Sequence, residues 1–190
     1  VLVDLTSLLE CNTELRVEGE GVMKNAGGNA GPAIAHRRPE DGETHDLGDH
    51  LRGTAAYAAG FAAPFGGEEL ACLAGLWHDL GKYADRFQEM IHAADSDAHL
   101  EGQEAPAGRR RVDHSTAGAQ WALERLGPHL GRLLAYVIAG HHAGLGDWTG
   151  AEAHRGLDQR LADRSHLAAM HAAGLPSVSL EWQAASPVFT

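Results

Sequence analysis

Through the middle of the chain, apolar residues recur at three- and four-residue intervals, the mark of helices buried along one stripe, and polar or glycine-rich stretches separate them. Leu51, Ala55, Ala58, Ala59 and Ala62 predict a helix from Asp49 to about Ala62, with Asp49 as its N-cap and His50 in its first turn. Pro64 and Gly66-Gly67 break it. Leu70, Leu73, Ala74 and Trp77 predict a second helix from Glu68 to about Leu80, ended by Gly81. Phe87, Met90 and Ile91 are the buried positions of a third, over Tyr83–Ala94. A fourth starts at Asp113-His114-Ser115 and runs to Leu126, where Gly127-Pro128 stops it. The fifth has the clearest period: Leu130, Leu133, Leu134, Val137 and Ile138, running into Gly140-His141-His142-Ala143-Gly144. A mostly polar helical stretch follows over Gly150–Ala173. No alternating strand pattern occurs after residue 47, so the expected fold class is all-α, a helical bundle behind a poorly structured N-terminal segment.

The remainder reads as loop. Val1–Leu9 suits a short strand or a helical turn. Glu18–Pro32 is glycine- and asparagine-rich, a loop or weak hairpin. Arg37–Gly48 is polar and reads as an exposed loop, and Asp95–Val112 as a long one of the kind that is functional or disordered. The expected organisation is an N-terminal segment over 1–47, one domain over 48–175 and a tail or linker over 176–190.

Composition narrows the possible roles. The chain has 190 residues, 44% of them hydrophobic, enough for one domain with a real core. Its formal net charge of −11 excludes the strongly basic type of nucleic-acid surface. A phosphate-bearing partner must then be drawn by metal ions or by small basic patches such as Arg37-Arg38 and Arg109-Arg110-Arg111. Cys72 lies inside an apolar helix and reads as a small buried hydrophobe. With Cys11 it makes neither a disulfide framework nor a CxxC metal site, which suits a cytoplasmic location. No apolar run has the length of a membrane span, and Val1–Glu10 lacks the basic leader of a signal peptide.

Thirteen histidines are the compositional outlier. His50, His78, His114, His141 and His142 fall where apolar helices begin or end, and Asp79 stands beside His78. Each alone is ordinary: a His-Asp pair at a helix end is usually a cap, and a double histidine before glycine a solvated end. Together they come from four helices whose ends can converge, which is how bundles build metal sites. A nitrogen-rich set with one carboxylate favours Fe, Mn, Co, Ni or Zn over Mg or Ca. The ligands are too many for one tetrahedral ion. Two ions roughly 3.5–4 Å apart, sharing Asp79, fit the count and the chemistry of phosphate-ester hydrolysis.

The segments GLWHDLGKYADRFQ, DHSTAGA and IAGHHAGL, with DHLRGTAAYA ahead of them, resemble the HD superfamily of metal-dependent phosphohydrolases. More narrowly, they resemble the HD nuclease domain of the CRISPR-associated nuclease-helicase of type I systems, over about residues 33–148. The resemblance implies an HD bundle with two divalent transition ions, Fe, Mn, Co or Ni before Zn or Mg. His50, His78 and Asp79 would hold one ion and His114, His141 and His142 the other, with Asp79 bridging. Asp79 and Lys82 would serve catalysis. Lys82 would stand behind the ligands or meet a substrate phosphate. Apart from the resemblance, Ser115 and the Arg109-Arg110-Arg111 run are candidates for contact with the substrate, though a solvated loop is the more ordinary role of such a run. That substrate would be single-stranded DNA, fed by a helicase and recruited by an RNA-guided surveillance complex, with no membrane involved. The family also uses a late aspartate, for which Asp158 and Asp163 are the candidates. No GxxxxGK[ST] loop is present, so the helicase would be a separate polypeptide or lie outside this chain. The alternatives are a small-nucleotide phosphohydrolase of the wider superfamily and a non-catalytic HD interaction module.

Overall fold

The computed structural model describes residues 32–38, 40–93, 112–142, 144–150 and 156–172. An antiparallel hairpin, β1 (Ile34–Arg37) and β2 (Thr44–Asp46), leads into packed helices. These are α1 (Leu47–Ala62), α2 (Glu68–Trp77), α3 (Asp85–His92), α4 (Ser115–Leu126), α5 (Arg132–Gly140), α6 (Leu157–Ala162) and α7 (Ser165–Ala172). A 3-10 turn, Leu80–Tyr83, joins α2 to α3, and a π-helical turn, Gly127–Gly131, joins α4 to α5. The architecture is the all-α bundle that the helical periodicity predicts, with one small hairpin added. The expectations for residues 1–31, for most of the 95–112 loop and for 176–190 lie outside the described residues.

Helix α1 buries Leu47, Leu51, Ala55 and Ala59 against Leu73, Leu76 and Trp77 of α2. The pair is close because Gly75 carries no side chain: a Cβ there would stand 2.5 Å from the Ala55 Cα. Ala117 and Trp121 of α4 and Leu134 and Ile138 of α5 complete the core. Leu133 and Val137, read as part of the α5 buried stripe, are about half exposed. The face of α5 that packs is Leu134, Ala135, Ile138 and Ala139. No helix among the described residues is long and apolar enough to cross a membrane.

Other local readings are corrected. Arg37–Gly48 is not a plain loop but holds the end of β1, the connecting turn, all of β2 and the start of α1. These strands are too short and polar to alternate visibly. The α1 N-cap is Asp46, whose carboxylate accepts from the Asp49 N–H at 2.9 Å; Asp49 itself sits in the first turn. Tyr83 belongs to the 3-10 turn, and α3 starts at Asp85. The 150–173 stretch is broken at Asp163, whose carboxylate caps the Ser165 N–H. Cys72 is buried, but its sulfur is disulfide-bonded rather than a plain thiol.

Candidate metal centre

The bundle brings helix ends together. His50 stands in the first turn of α1, and the close α1–α2 contact carries it to His78 and Asp79, just past the end of α2. His114 immediately precedes α4, and His141 and His142 immediately follow α5. Gly81, read as a helix terminator, serves close approach instead. Its N–H donates to the His114 carbonyl at 3.1 Å, and a Cβ would stand 2.2 Å from that oxygen. This contact seats the start of α4 on the turn that carries Asp79.

Asp79 is at the centre and is 1% exposed. Its Oδ2 lies 3.1 Å from the Nε2 of His50 and 3.1 Å from the Nε2 of His78. Its Oδ1 lies 3.3 Å from the Nε2 of His114 and 3.4 Å from that of His141, without hydrogen-bond geometry. The His50 and His78 Nε2 atoms are 3.1 Å apart, and those of His114 and His142 are 2.9 Å apart. Donor atoms of His50, His78 and Asp79 all fall within 4.8 Å of one another, and so do those of Asp79, His114, His141 and His142. The six residues singled out from helix boundaries thus form two clusters joined by one carboxylate.

The rings are held from behind. The Nδ1 atoms of His78, His141 and His114 lie 2.7, 2.6 and 3.3 Å from the carbonyls of Gly75, Ile138 and Val112. A backbone carbonyl only accepts, so each Nδ1 carries a proton and each Nε2 is turned inward, the nitrogen that would give its lone pair to a bound metal. His50 lacks such a carbonyl among the described contacts; the rings of His36 and His45 from the hairpin pack edge-on against it.

The electrostatics agree with a cation-binding role. Burial opposes the Asp79 charge, but His141, His50, His78 and the Lys82 ammonium outweigh it and hold the carboxyl far below the usual range. Burial pushes His114 down to about 4, so its ring is neutral at pH 7. Burial lowers His78 as well, but the Asp79 hydrogen bond and charge more than offset it and its net shift is upward. A site for divalent ions should show buried acceptors left without protons to share. The Asp79 Oδ1 is such an atom, buried with no hydrogen-bond partner. Donors about 2.0–2.2 Å from one transition ion lie roughly 2.8–3.5 Å from each other, which the separations here match. The residues therefore fit bound divalent metal.

The sequence profile described as "Cas3, HD domain" matches residues 44–187. The chain belongs to the Cas3 HD domain family. That makes it a CRISPR-associated HD nuclease domain by family, of a class of metal-dependent hydrolases. No curated protein matches it.

The other residues singled out from the sequence lie around the clusters or outside the described residues. Lys82 is 1% exposed, its ammonium 2.9 Å from the Asp79 Oδ2 and 3.3 Å from the Ala35 carbonyl. It faces the carboxylate rather than solvent. Ser115 is buried, and its Oγ accepts from Arg160 at 2.7 Å. Arg109, Arg110 and Arg111 lie outside the described residues. Neither Asp158 nor Asp163 is in either cluster: Asp158 bonds the N–H of Gln159, and Asp163 caps α7. Trp77 and Tyr83 are core residues, and Trp148 packs at a tilt against Tyr136. Sequence reasoning missed Gln88 and Arg160, which hold the surroundings in place. The FQ dipeptide flagged Gln88 only as part of the resemblance, and nothing local to Arg160 marks it.

Proposed function

We propose that the cluster is a two-ion centre that hydrolyses phosphodiester bonds of single-stranded DNA in type I CRISPR interference. The supporting observation is Asp79, with one oxygen facing His50 and His78, and the other facing His114 and His141 while lacking any hydrogen bond. His50, His78 and Asp79 would hold one ion; His114, His141, His142 and Asp79 would hold the other. When bound, such a pair supplies an activated water and stabilises charge building on phosphate oxygens. The imidazoles present neutral nitrogen donors, which favours Fe, Mn, Co or Ni over Mg. Lys82 fixes the Asp79 carboxylate from the protein side and offsets its charge, so it acts on the ligand rather than on DNA. With a formal net charge of −11, the domain grips a strand weakly by itself. A helicase and an RNA-guided surveillance complex would deliver the DNA in the cytoplasm.

The test is cleavage of circular single-stranded DNA with added Mn, Co or Ni, against mononucleotides as competing substrates. Asp79→Ala is expected to abolish cleavage. A variant that still cuts, or a wild-type chain that hydrolyses only mononucleotides, sinks the assignment.

A further inference from the structure

We propose that Arg160, in α6, is the positioning residue that keeps His114 in register with His141 and His142. The proposal rests on the two-ion reading and deepens it by assigning the upkeep of one half of the centre to a single distant side chain.

That half depends on two helix ends staying in place. His114 is fixed by the start of α4, and His141 and His142 by the end of α5. Arg160 touches both ends. Its Nε donates to Asp113 Oδ2 at 3.2 Å and to Thr116 Oγ1 at 2.6 Å. One terminal nitrogen donates to Asp113 Oδ1 at 3.1 Å and to Ser115 Oγ at 2.7 Å. The other donates to the Ala139 carbonyl at 3.2 Å, in the last turn of α5. Asp113, the residue beside His114, in turn accepts from the N–H groups of Ser115 and Thr116, so its carboxylate caps α4 and anchors Arg160 at once. A planar guanidinium with five donors can span a carboxylate, two hydroxyls and a carbonyl; an ammonium cannot. Among the described contacts no such brace reaches the His50–His78 half, which is built by α1 against α2. Loss of Arg160 should therefore be felt in one half only.

Titration of metal-free protein with Co(II), followed by visible absorption and heat, separates the halves. Wild type should take up two equivalents. Arg160→Gln should leave the first within about twofold and weaken the second about tenfold or more, the scale for groups that orient metal ligands. Arg160→Lys, which keeps the charge without the fork, should fall between, and it supplies the same reading if the Gln variant fails to fold. Arg164→Ala breaks another α4 contact, to Glu124 far from the site, and should bind as wild type. Imidazole nitrogen shifts in the metal-free protein should move at His114 and His142 but not at His50 and His78. Arg160 variants that retain both equivalents, or lose both alike, overturn the proposal. Wild type binding fewer than two ions sinks the two-ion reading instead, and the imidazole shifts then still decide whether Arg160 holds the pair.

Discussion

The site is built from single-atom choices. Each of His78, His114 and His141 has one nitrogen against a backbone carbonyl, which turns the other towards Asp79. Lys82, fully buried, fixes the Oδ2 of Asp79, and among the described residues Oδ1 has no hydrogen bond. Removing one member of a buried ion pair leaves the other charge uncompensated and costs about 3 kcal/mol. Lys82→Met, close in volume but neutral, should therefore lower the stability of the metal-free chain by about 3 kcal/mol in urea denaturation. Unchanged stability would mean that the neighbouring imidazoles already neutralise Asp79. At this scale the sequence was informative, because His50, His78, Asp79, His114, His141 and His142 sit at helix boundaries and periodicity places the boundaries. It said nothing about Arg160, whose partners are about twenty to nearly fifty positions away and leave no local pattern.

Between elements, buried glutamines tie irregular backbone to the bundle. The Gln88 side chain accepts from the Ile34 N–H at 3.0 Å and donates to the carbonyls of Ile34 and Lys82 at 3.0 and 2.7 Å. It thereby fixes β1 to the turn that carries Lys82. Gln120, fully buried in α4, donates to the carbonyls of Leu161 and Asp163, which the end of α6 leaves open. Gln88→Leu would strand three backbone groups, each worth about 1 kcal/mol or more. The expected result is a loss of about 3 kcal/mol and fast amide exchange at Ile34, with α4 amides still protected. Loss of the Asp46 cap in Asp46→Ala should cost about 1 kcal/mol in thermal unfolding, and Asp49→Ala less, since Asp49 is only a first-turn acid. The helices were readable because a buried stripe repeats along one segment. The hairpin, the true N-cap and the break at Asp163 were not: the strands are too short to show a period, and Asp46 and Asp49 are equally good caps by residue type.

At the scale of the whole molecule, a formal charge of −11 makes added negative charge costly, and Tyr83 is where alkaline pH would add it. Its ring is buried in the turn between the Asp79 segment and α3. Burial, then the nearby Asp46 carboxylate, push its phenol up to about 12, against a smaller opposing effect of Arg52. The folded state therefore holds this proton more tightly than the unfolded chain, whose tyrosines ionise near 10. The sign follows: the contribution is complete below pH 10 and is lost as pH rises from 10 towards 12. Asp46 also caps α1, and α1 carries His50, so the phenolate would strain the hairpin and the histidine cluster together. Absorbance at 295 nm should show Tyr83 ionising only near pH 12 or on unfolding. Tyr83→Phe removes the titrating group, so its stability should fall less than that of wild type over the same interval. Equal losses in the two proteins would mean that the alkaline limit is set by diffuse repulsion over the acidic surface and not by this buried ring.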